Sequence, residues 1–382
     1  MYHSETWFEH LTQIRKKTRQ QRGSYQGVME FISMKAREKG VPVCGKFELT
    51  PLCNFDCKMC YVHLNAEQLN DRSSILTVDT WKGLMHQAWE AGMLSAILTG
   101  GDCLTYPGFD ELFLYLHSLG CEVSVLTNGL LLDEKRIRFF KKHMPALVQV
   151  TLYGSNEDIY ERVTGKRVFY VVKENIKHAI EVDIPVSISI TPNKYMGEDI
   201  IETVRVAREL CKSVAINFCL NAPREETGRS KHKDEIELEL FIKALKYLNE
   251  LNGRECREID EVKLPPYGGA SHETSECGLL CGGGRSSFAI DWEGTMMPCV
   301  DFTRIQAYPL KDGFLNAWHE VNRKAINWPR VPECNGCAYY DVCNRCATNM
   351  YQFAEPGKMP IDMCERTKEL VRNGIAHIPD CE

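Results

Sequence analysis

Between residues 46 and 220 the chain alternates short apolar, β-branched runs with longer stretches of helical period. The runs lie at 46–50, 95–99, 122–127, 148–152, 186–191 and 214–219, each the length of a strand. Helical patterns fill the gaps, for example 78–91, 109–119, 134–142 and 199–210, and Thr77 stands before the first as its N-cap. Six strands joined by helical crossovers predict an α/β fold, a parallel sheet of repeated βα units whose functional loops sit at the carboxyl ends of the strands.

The flanks read differently. Residues 1–45 are polar, with Trp7, Phe8, Leu11 and Ile14 at helical spacing, followed by Arg15, Lys16, Lys17, Arg19 and Arg22. That basic cluster is either a solvated helix face or a dock for an acidic peptide. A charged helical stretch covers 233–251, and the Pro- and Gly-rich loop 264–269 marks a boundary. Beyond it cysteine and glycine are frequent and apolar periodicity is poor, the pattern of a segment that needs metal to hold its shape. The expected organisation is a helical extension over 1–45, a core over 46–230, a linking helix and loop over 231–270, and a cysteine-rich unit over 271–382.

Composition narrows the function. With 382 residues, 44% hydrophobic and 26% charged, the chain suits two globular domains. A net charge of −6 gives no electrostatic reason to expect nucleic acid as a partner. No apolar run is long enough to span a membrane, and the start Met1-Tyr2-His3-Ser4-Glu5 lacks the apolar region of a secretory signal, so a cytoplasmic location is expected. Eighteen cysteines are many for a reducing compartment. They are either metal or cluster ligands or small buried hydrophobes, and spacing decides between the two.

After the first strand, Cys53, Cys57 and Cys60 form Cys-x3-Cys-x2-Cys in Thr50-Pro51-Leu52-Cys53-Asn54-Phe55-Asp56-Cys57-Lys58-Met59-Cys60-Tyr61. Three thiolates can hold three irons of a [4Fe–4S] cluster and leave the fourth open. A zinc site wants four protein ligands, of which His63 could be one. In this motif the chain resembles the radical SAM superfamily, over roughly residues 46 to 370. The resemblance implies a partial (β/α)6 TIM-type barrel. It also implies that S-adenosylmethionine chelates the open iron, and that one electron splits it to give a 5′-deoxyadenosyl radical. Met59 stands where the family usually has an aromatic residue.

The resemblance extends to the later strand ends. Thr99-Gly100-Gly101-Asp102 looks like the family's Gly-Gly-Glu motif, which implies that Gly100, Gly101 and Asp102 hold the methionine amino group, with Asp one methylene short of Glu. Thr127-Asn128-Gly129 resembles the segment beside the adenosyl group; its plain alternative is an Asn-Gly turn. Thr151 is expected at the cofactor carboxylate with Arg162, and Asn193 is a further cofactor contact.

The C-terminal cysteines are Cys277, Cys281, Cys299, Cys334, Cys337, Cys343, Cys346 and Cys364. Paired Cys-x2-Cys elements on their own also suit zinc. Their order resembles the SPASM domain appended to radical SAM enzymes that mostly modify peptides and proteins, making 271–382 a cysteine-rich, cluster-stapled domain. The family's interleaved pattern implies two auxiliary [4Fe–4S] clusters, one on Cys277, Cys281, Cys299 and Cys346, the other on Cys334, Cys337, Cys343 and Cys364. The two residues between Cys343 and Cys346 depart from the usual three. Of the rest, Cys121, Cys211 and Cys219 fall in apolar elements, while Cys103, beside Gly-Gly-Asp, is a candidate hydrogen-atom donor and Cys381 a remoter one.

The expectation is therefore a radical SAM maturase of a ribosomally made peptide (RiPP maturation), forming a crosslink, thioether, epimer or related product. Its expected partners are the peptide, a separate leader-binding protein, and a reductant such as flavodoxin or ferredoxin. One alternative is anaerobic sulfatase maturation by formylglycine formation, with Asp301 as base. The alternative of another class is a non-catalytic iron–sulfur or zinc interaction protein. No Ser-His-Asp order, P-loop or His-Glu-x-x-His helix favours a hydrolase or phosphate reading.

Overall fold

Strand pairing gives the computed structural model its frame. It describes residues 25–62, 75–217, 220, 234–254, 256, 277–335, 337–340, 342–353 and 355–375. The pattern at Trp7 to Ile14, the basic cluster after it, His63, the 264–269 loop, Cys219 and Cys381 lie outside the described residues. After helix α1 (Tyr25–Lys39), the core runs β1 (Cys44–Glu48), α2 (Val78–Glu90), β2 (Ser95–Thr99), α3 (Phe109–Ser118), β3 (Glu122–Thr127), α4 (Glu134–Lys142), β4 (Leu147–Thr151), α5 (Glu157–Thr164), α6 (Phe169–Glu181), β5 (Val186–Ile190), α7 (Asp199–Leu210), β6 (Val214–Ile216) and α8 (Leu238–Leu251). The rest adds β7 (Ser287–Ile290), β8 (Met296–Met297), α9 (Pro309–Asp312), α10 (Phe314–Ile326), α11 (Ala347–Phe353) and α12 (Ile361–Arg372).

Eight strands form one sheet in the order β6-β5-β4-β3-β2-β1-β7-β8, with every pair parallel except β7–β8. Alternation along each strand divides its faces. Phe47, Leu98, Val123, Val125, Val148, Val150, Ile188 and Ile190 are buried. The positions between them on β1, β3, β4 and β5 include Lys46, Leu126, Gln149 and Ser189, all of which line a cavity. The crossover helices start on local signals. Thr77 accepts the Thr80 N–H as the N-cap of α2, and Asp133 and Asn156 cap α4 and α5 in the same way.

The segment beyond 271 corrects one expectation, for its apolar pattern is strong enough to enter the core. β7 pairs in parallel with β1, and Phe288 packs edge-on against Phe47 at 5.9 Å and Phe314 at 5.1 Å. Trp318 on α10 is buried against the same ring and donates its indole N–H to the Gly40 carbonyl at 2.7 Å. The short β7 run escaped the sequence reading because only four residues carry it. Among the described residues no helix is long and apolar enough to cross a membrane.

Phe47 sits where the two parts of the sheet meet, touching both Trp81 and Phe288 edge-on. Phe47→Ala should cost about 3–5 kcal/mol by leaving a cavity there, read as a lower denaturant midpoint with unchanged slope. An unchanged midpoint would show that β1–β7 packing does not limit stability.

Candidate active site

The first cysteine loop leaves β1 and is fixed on two sides. On one, Leu49 N–H donates to Thr99 O, Gly101 N–H to Thr50 O at 2.7 Å, and Asp102 N–H to Leu52 O at 3.1 Å. This backbone zipper explains both glycines. A Cβ on Gly100, whose φ is +138°, would lie 2.3 Å from the Thr50 carbonyl oxygen, and one on Gly101 would lie 2.4 Å from that of Leu52. On the other side, Asp56 and Lys58 donate their N–H groups to Thr164 O and Val163 O at the end of α5. Phe55 drops beneath the loop against Tyr153 and Tyr160.

Asp102 ties these parts together. One carboxylate oxygen accepts the Leu104 N–H at 2.9 Å, and the other accepts the Thr127 hydroxyl at 2.7 Å and the Asn128 N–H at 2.9 Å. Asn128, so held, donates its side-chain amide to Asn54 Oδ1 at 2.6 Å and Cys53 Sγ at 3.4 Å. Burial raises the Asp102 pKa, and these donors work against that rise.

The three thiols open on a cavity of about 500 Å³ at the carboxyl ends of the strands, within the ~300–1,000 Å³ usual for ligand sites. Gly100, Gly101, Thr127, Asn128 and Thr151 line it, and so do Asp301 and Cys346 from the C-terminal segment. Burial, then the charge of Asp102, pushes Cys53 up to about 12. Cys57 is also raised, by burial and then by Cys60 and Cys53, while a hydrogen bond from the Tyr153 side chain opposes the rise. A cradle that disfavours free thiolates suits ligands whose charge is neutralised by a metal.

Electrostatic influence links Cys281, Cys299 and Cys346 with one another, and Cys334, Cys337, Cys343 and Cys364 with one another. Burial raises Cys299 to about 12, with Asp301 and Cys346 adding to the rise, and Cys346 is raised by burial and by Cys281. Burial raises Cys334 to about 11, with Cys343, Cys337 and Cys364 contributing. Cys364 is raised by burial, Cys343 and Cys337. Cys277 pairs its backbone with Pro329, and its membership of the first set rests on the family pattern alone.

Zinc and a cluster make different geometric demands. Zinc at a Zn–S distance of about 2.3 Å needs sulfurs about 3.8 Å apart, whereas a cubane holds its thiolates on separate irons, farther apart. Among the described residues no three His, Cys, Asp or Glu side chains are arranged to hold a single ion. Buried N–H groups without an acceptor belong to residues that neighbour these cysteines in sequence, Asn54 Nδ2 after Cys53 and Arg345 Nε and Nη1 within Cys343–Cys346. Cluster sulfides and thiolates are acceptors, so the donor sets fit [4Fe–4S] groups.

Four expected contacts fall elsewhere. Asp102 does not line the cavity, because protein donors occupy its carboxylate. Cys103 is 0% exposed and donates its S–H to the Leu126 carbonyl at 3.3 Å, behind the cavity wall, which removes it as a hydrogen-atom donor to substrate. Arg162 is exposed on α5 away from the lining. Asn193 is buried in a local turn, its side chain bonded to Thr191 O and Tyr195 N. Conversely Lys46, Gln149, Tyr153, Ser189 and Asn217 line the cavity without having been singled out. Polar residues at alternating positions of otherwise apolar strands were the available signal. Lys46 is the sole cation and Asp301 the sole carboxylate among the described lining residues.

Residues 47–207 match the family model described as Radical SAM superfamily. The chain is 23% identical over 339 residues to the antilisterial bacteriocin subtilosin biosynthesis protein AlbA of Bacillus subtilis, covering 86% of this chain and 69% of that one. It is 26% identical over 330 residues to an AdoMet-dependent heme synthase of Methanosarcina barkeri, covering 80% and 91%. Among solved structures, Streptococcus suis SuiB bound to precursor peptide SuiA matches with a TM-score of 0.61 at 18% identity, over 89% of this chain and 81% of that chain.

Two predictions follow from the geometry. With the Cys53 thiol pushed up to about 12, the iron-free folded protein at pH 8 holds roughly one part in ten thousand of it as thiolate. Alkylation of Cys53 should therefore be slow at pH 8 and rise about tenfold per pH unit to near pH 11, followed by peptide mapping; a rate level above pH 9 would contradict the burial. Asp102→Ala should cost roughly 3 kcal/mol and reduce iron retained by the first loop. Full stability and iron would mean that the clamp is dispensable.

Proposed function

We propose that this chain, whose residues 47–207 match the radical SAM superfamily, is a radical SAM enzyme that matures a ribosomally made peptide by abstracting hydrogen within the cavity lined by its first cysteine loop and its C-terminal segment. One observation carries this reading: a single cavity is lined both by Cys53, Cys57 and Cys60 and by Asp301 and Cys346. Radical-generating and auxiliary cysteines thus face one substrate space. The subtilosin biosynthesis protein and the SuiB–SuiA pair support a peptide as occupant. The matched family is enzymatic, so the non-catalytic scaffold is set aside.

The roles follow from position. Cys53, Cys57 and Cys60 would hold three irons, with Tyr153 and Asn128 donating hydrogen bonds to their sulfurs. When bound there, S-adenosylmethionine supplies a carbon-centred radical at the cost of one electron. The hydroxyls and amides of Thr151, Ser189, Asn217, Gln149 and Asn349 orient the substrate across the cavity. Asp301 is the carboxylate placed to accept a proton from the substrate position that loses hydrogen, and Lys46 the cation placed to hold an anionic group. Val300, Asn344, Thr348 and Asn349 bring the C-terminal segment into the cavity lining. Of the first auxiliary set, Cys277, Cys281, Cys299 and Cys346, it is Cys346 that lines this space, and none of the second set, Cys334, Cys337, Cys343 and Cys364, is among the lining residues. A flavodoxin or ferredoxin would supply the electron, and a separate protein would present the leader.

The same carboxylate would serve formylglycine formation, so the product decides between the two readings. The anaerobically reconstituted enzyme with dithionite should convert S-adenosylmethionine to 5′-deoxyadenosine, and Cys57→Ala should abolish this. Co-expression with peptides encoded beside the gene should change a peptide's mass. A two-hydrogen loss from a sulfatase-derived Cys or Ser peptide would favour the alternative. Unchanged masses with active cofactor cleavage would remove the peptide reading while leaving radical chemistry standing.

A further inference from the structure

Beside the second auxiliary set lies a half-buried cation whose purpose the catalytic reading leaves open. Arg345 lies within Cys343-Asn344-Arg345-Cys346, so its two flanking thiols belong to different sets. Its guanidinium carbon is 3.3 Å from the centroid of the Tyr340 ring, which fixes the plane of the group. Two of its nitrogens, Nε and Nη1, are buried and have no hydrogen-bond partner. A buried guanidinium with idle donors is costly unless an acceptor completes it.

The surroundings say which set supplies that acceptor. Arg345 lines one small pocket with Cys334 and Tyr340. Its charge opposes the rise of the Cys334 and Cys343 thiols. The other cation near this set, Lys368, faces Cys364 but is ion-paired to Glu365 at 2.7 Å and partly solvated. Thr367 adds a hydroxyl 3.4 Å from the Cys343 sulfur.

We propose that Arg345 is a positioning residue that directs its N–H donors and charge at the cluster held by Cys334, Cys337, Cys343 and Cys364, and so makes that cluster easier to reduce than the other auxiliary cluster. The inference rests on the reading of these cysteines as a cluster site. Reduction adds one electron, taken from the external reductant, to a group already made anionic by four thiolates. A fixed positive charge and N–H···S bonds stabilise the reduced state more than the oxidised one. Because Arg345 shares its pocket with Cys334, its effect falls first on the cluster that Cys334 would hold.

The test is an anaerobic redox titration with dithionite, followed by electron paramagnetic resonance, on reconstituted wild type, Arg345→Gln and Arg345→Lys. In Arg345→Gln one auxiliary signal should move to lower potential while the other, and the signal that changes when S-adenosylmethionine is added, stay in place. Arg345→Lys should lie between. Equal potentials at full iron, an upward shift, or equal shifts in both auxiliary signals would overturn the proposal. Loss of about four irons in both variants would overturn it too, by showing that Arg345 holds the fold and does not tune the cluster. Wild-type protein with clearly fewer than about twelve irons per chain would instead sink the three-cluster reading, a failure distinct from that of Arg345.

Discussion

One buried carboxylate sets the geometry of the mouth of this sheet. Asp102 joins the end of β2 to the end of β3 through the Thr127 hydroxyl and the Asn128 amide, and Asn128 then reaches the first cysteine of the iron-binding loop. The two glycines before Asp102 let the same loop approach to backbone contact distance. Three strand-end motifs are therefore one mechanical unit, whose product is the orientation of Cys53, Cys57 and Cys60.

A second constraint comes from the far end of the chain. β7 joins β1 edge to edge, and Phe288 locks α10 behind the sheet. The cysteine-rich segment is thereby anchored to the core, and Asp301 and Cys346 reach the wall opposite the first loop. Lys46 and Asp301 give the cavity one charge of each sign, and its other polar lining is mostly neutral amide and hydroxyl. Such a surface can orient a peptide through hydrogen bonds and leave reactivity to the bound cofactor.

Much of the core was legible before the fold was known. Ser95–Thr99, Glu122–Thr127, Glu134–Lys142 and Asp199–Leu210 fall where periodicity put them, and Thr77 caps its helix. β-Branched runs and amphipathic stretches carry their own signal because strand and helix bury one face each at fixed period. The cysteine triplet was equally legible, since three thiols within eight residues on a strand-end loop leave few uses. What misled was proximity along the chain. Cys103 follows Gly-Gly-Asp directly, yet the turn that Asp102 caps drives its sulfur into the core. Arg162 and Asn193 sit near strand ends in sequence but point to solvent or into a local turn.

The sequence by itself determined the secondary structure of the βα core and the place of the first cysteine triplet on a strand-end loop, because each is encoded by local periodicity or spacing. Only the tertiary structure decided that Asp102 is a clamp, that Tyr153 reaches Cys57, that Lys46 and Gln149 face a shared cavity, and that Arg345 stacks on Tyr340 beside Cys334. Those facts depend on which face of a strand turns inward and on contacts between residues tens to hundreds of positions apart. Packing, and no pattern along the chain, fixes such contacts.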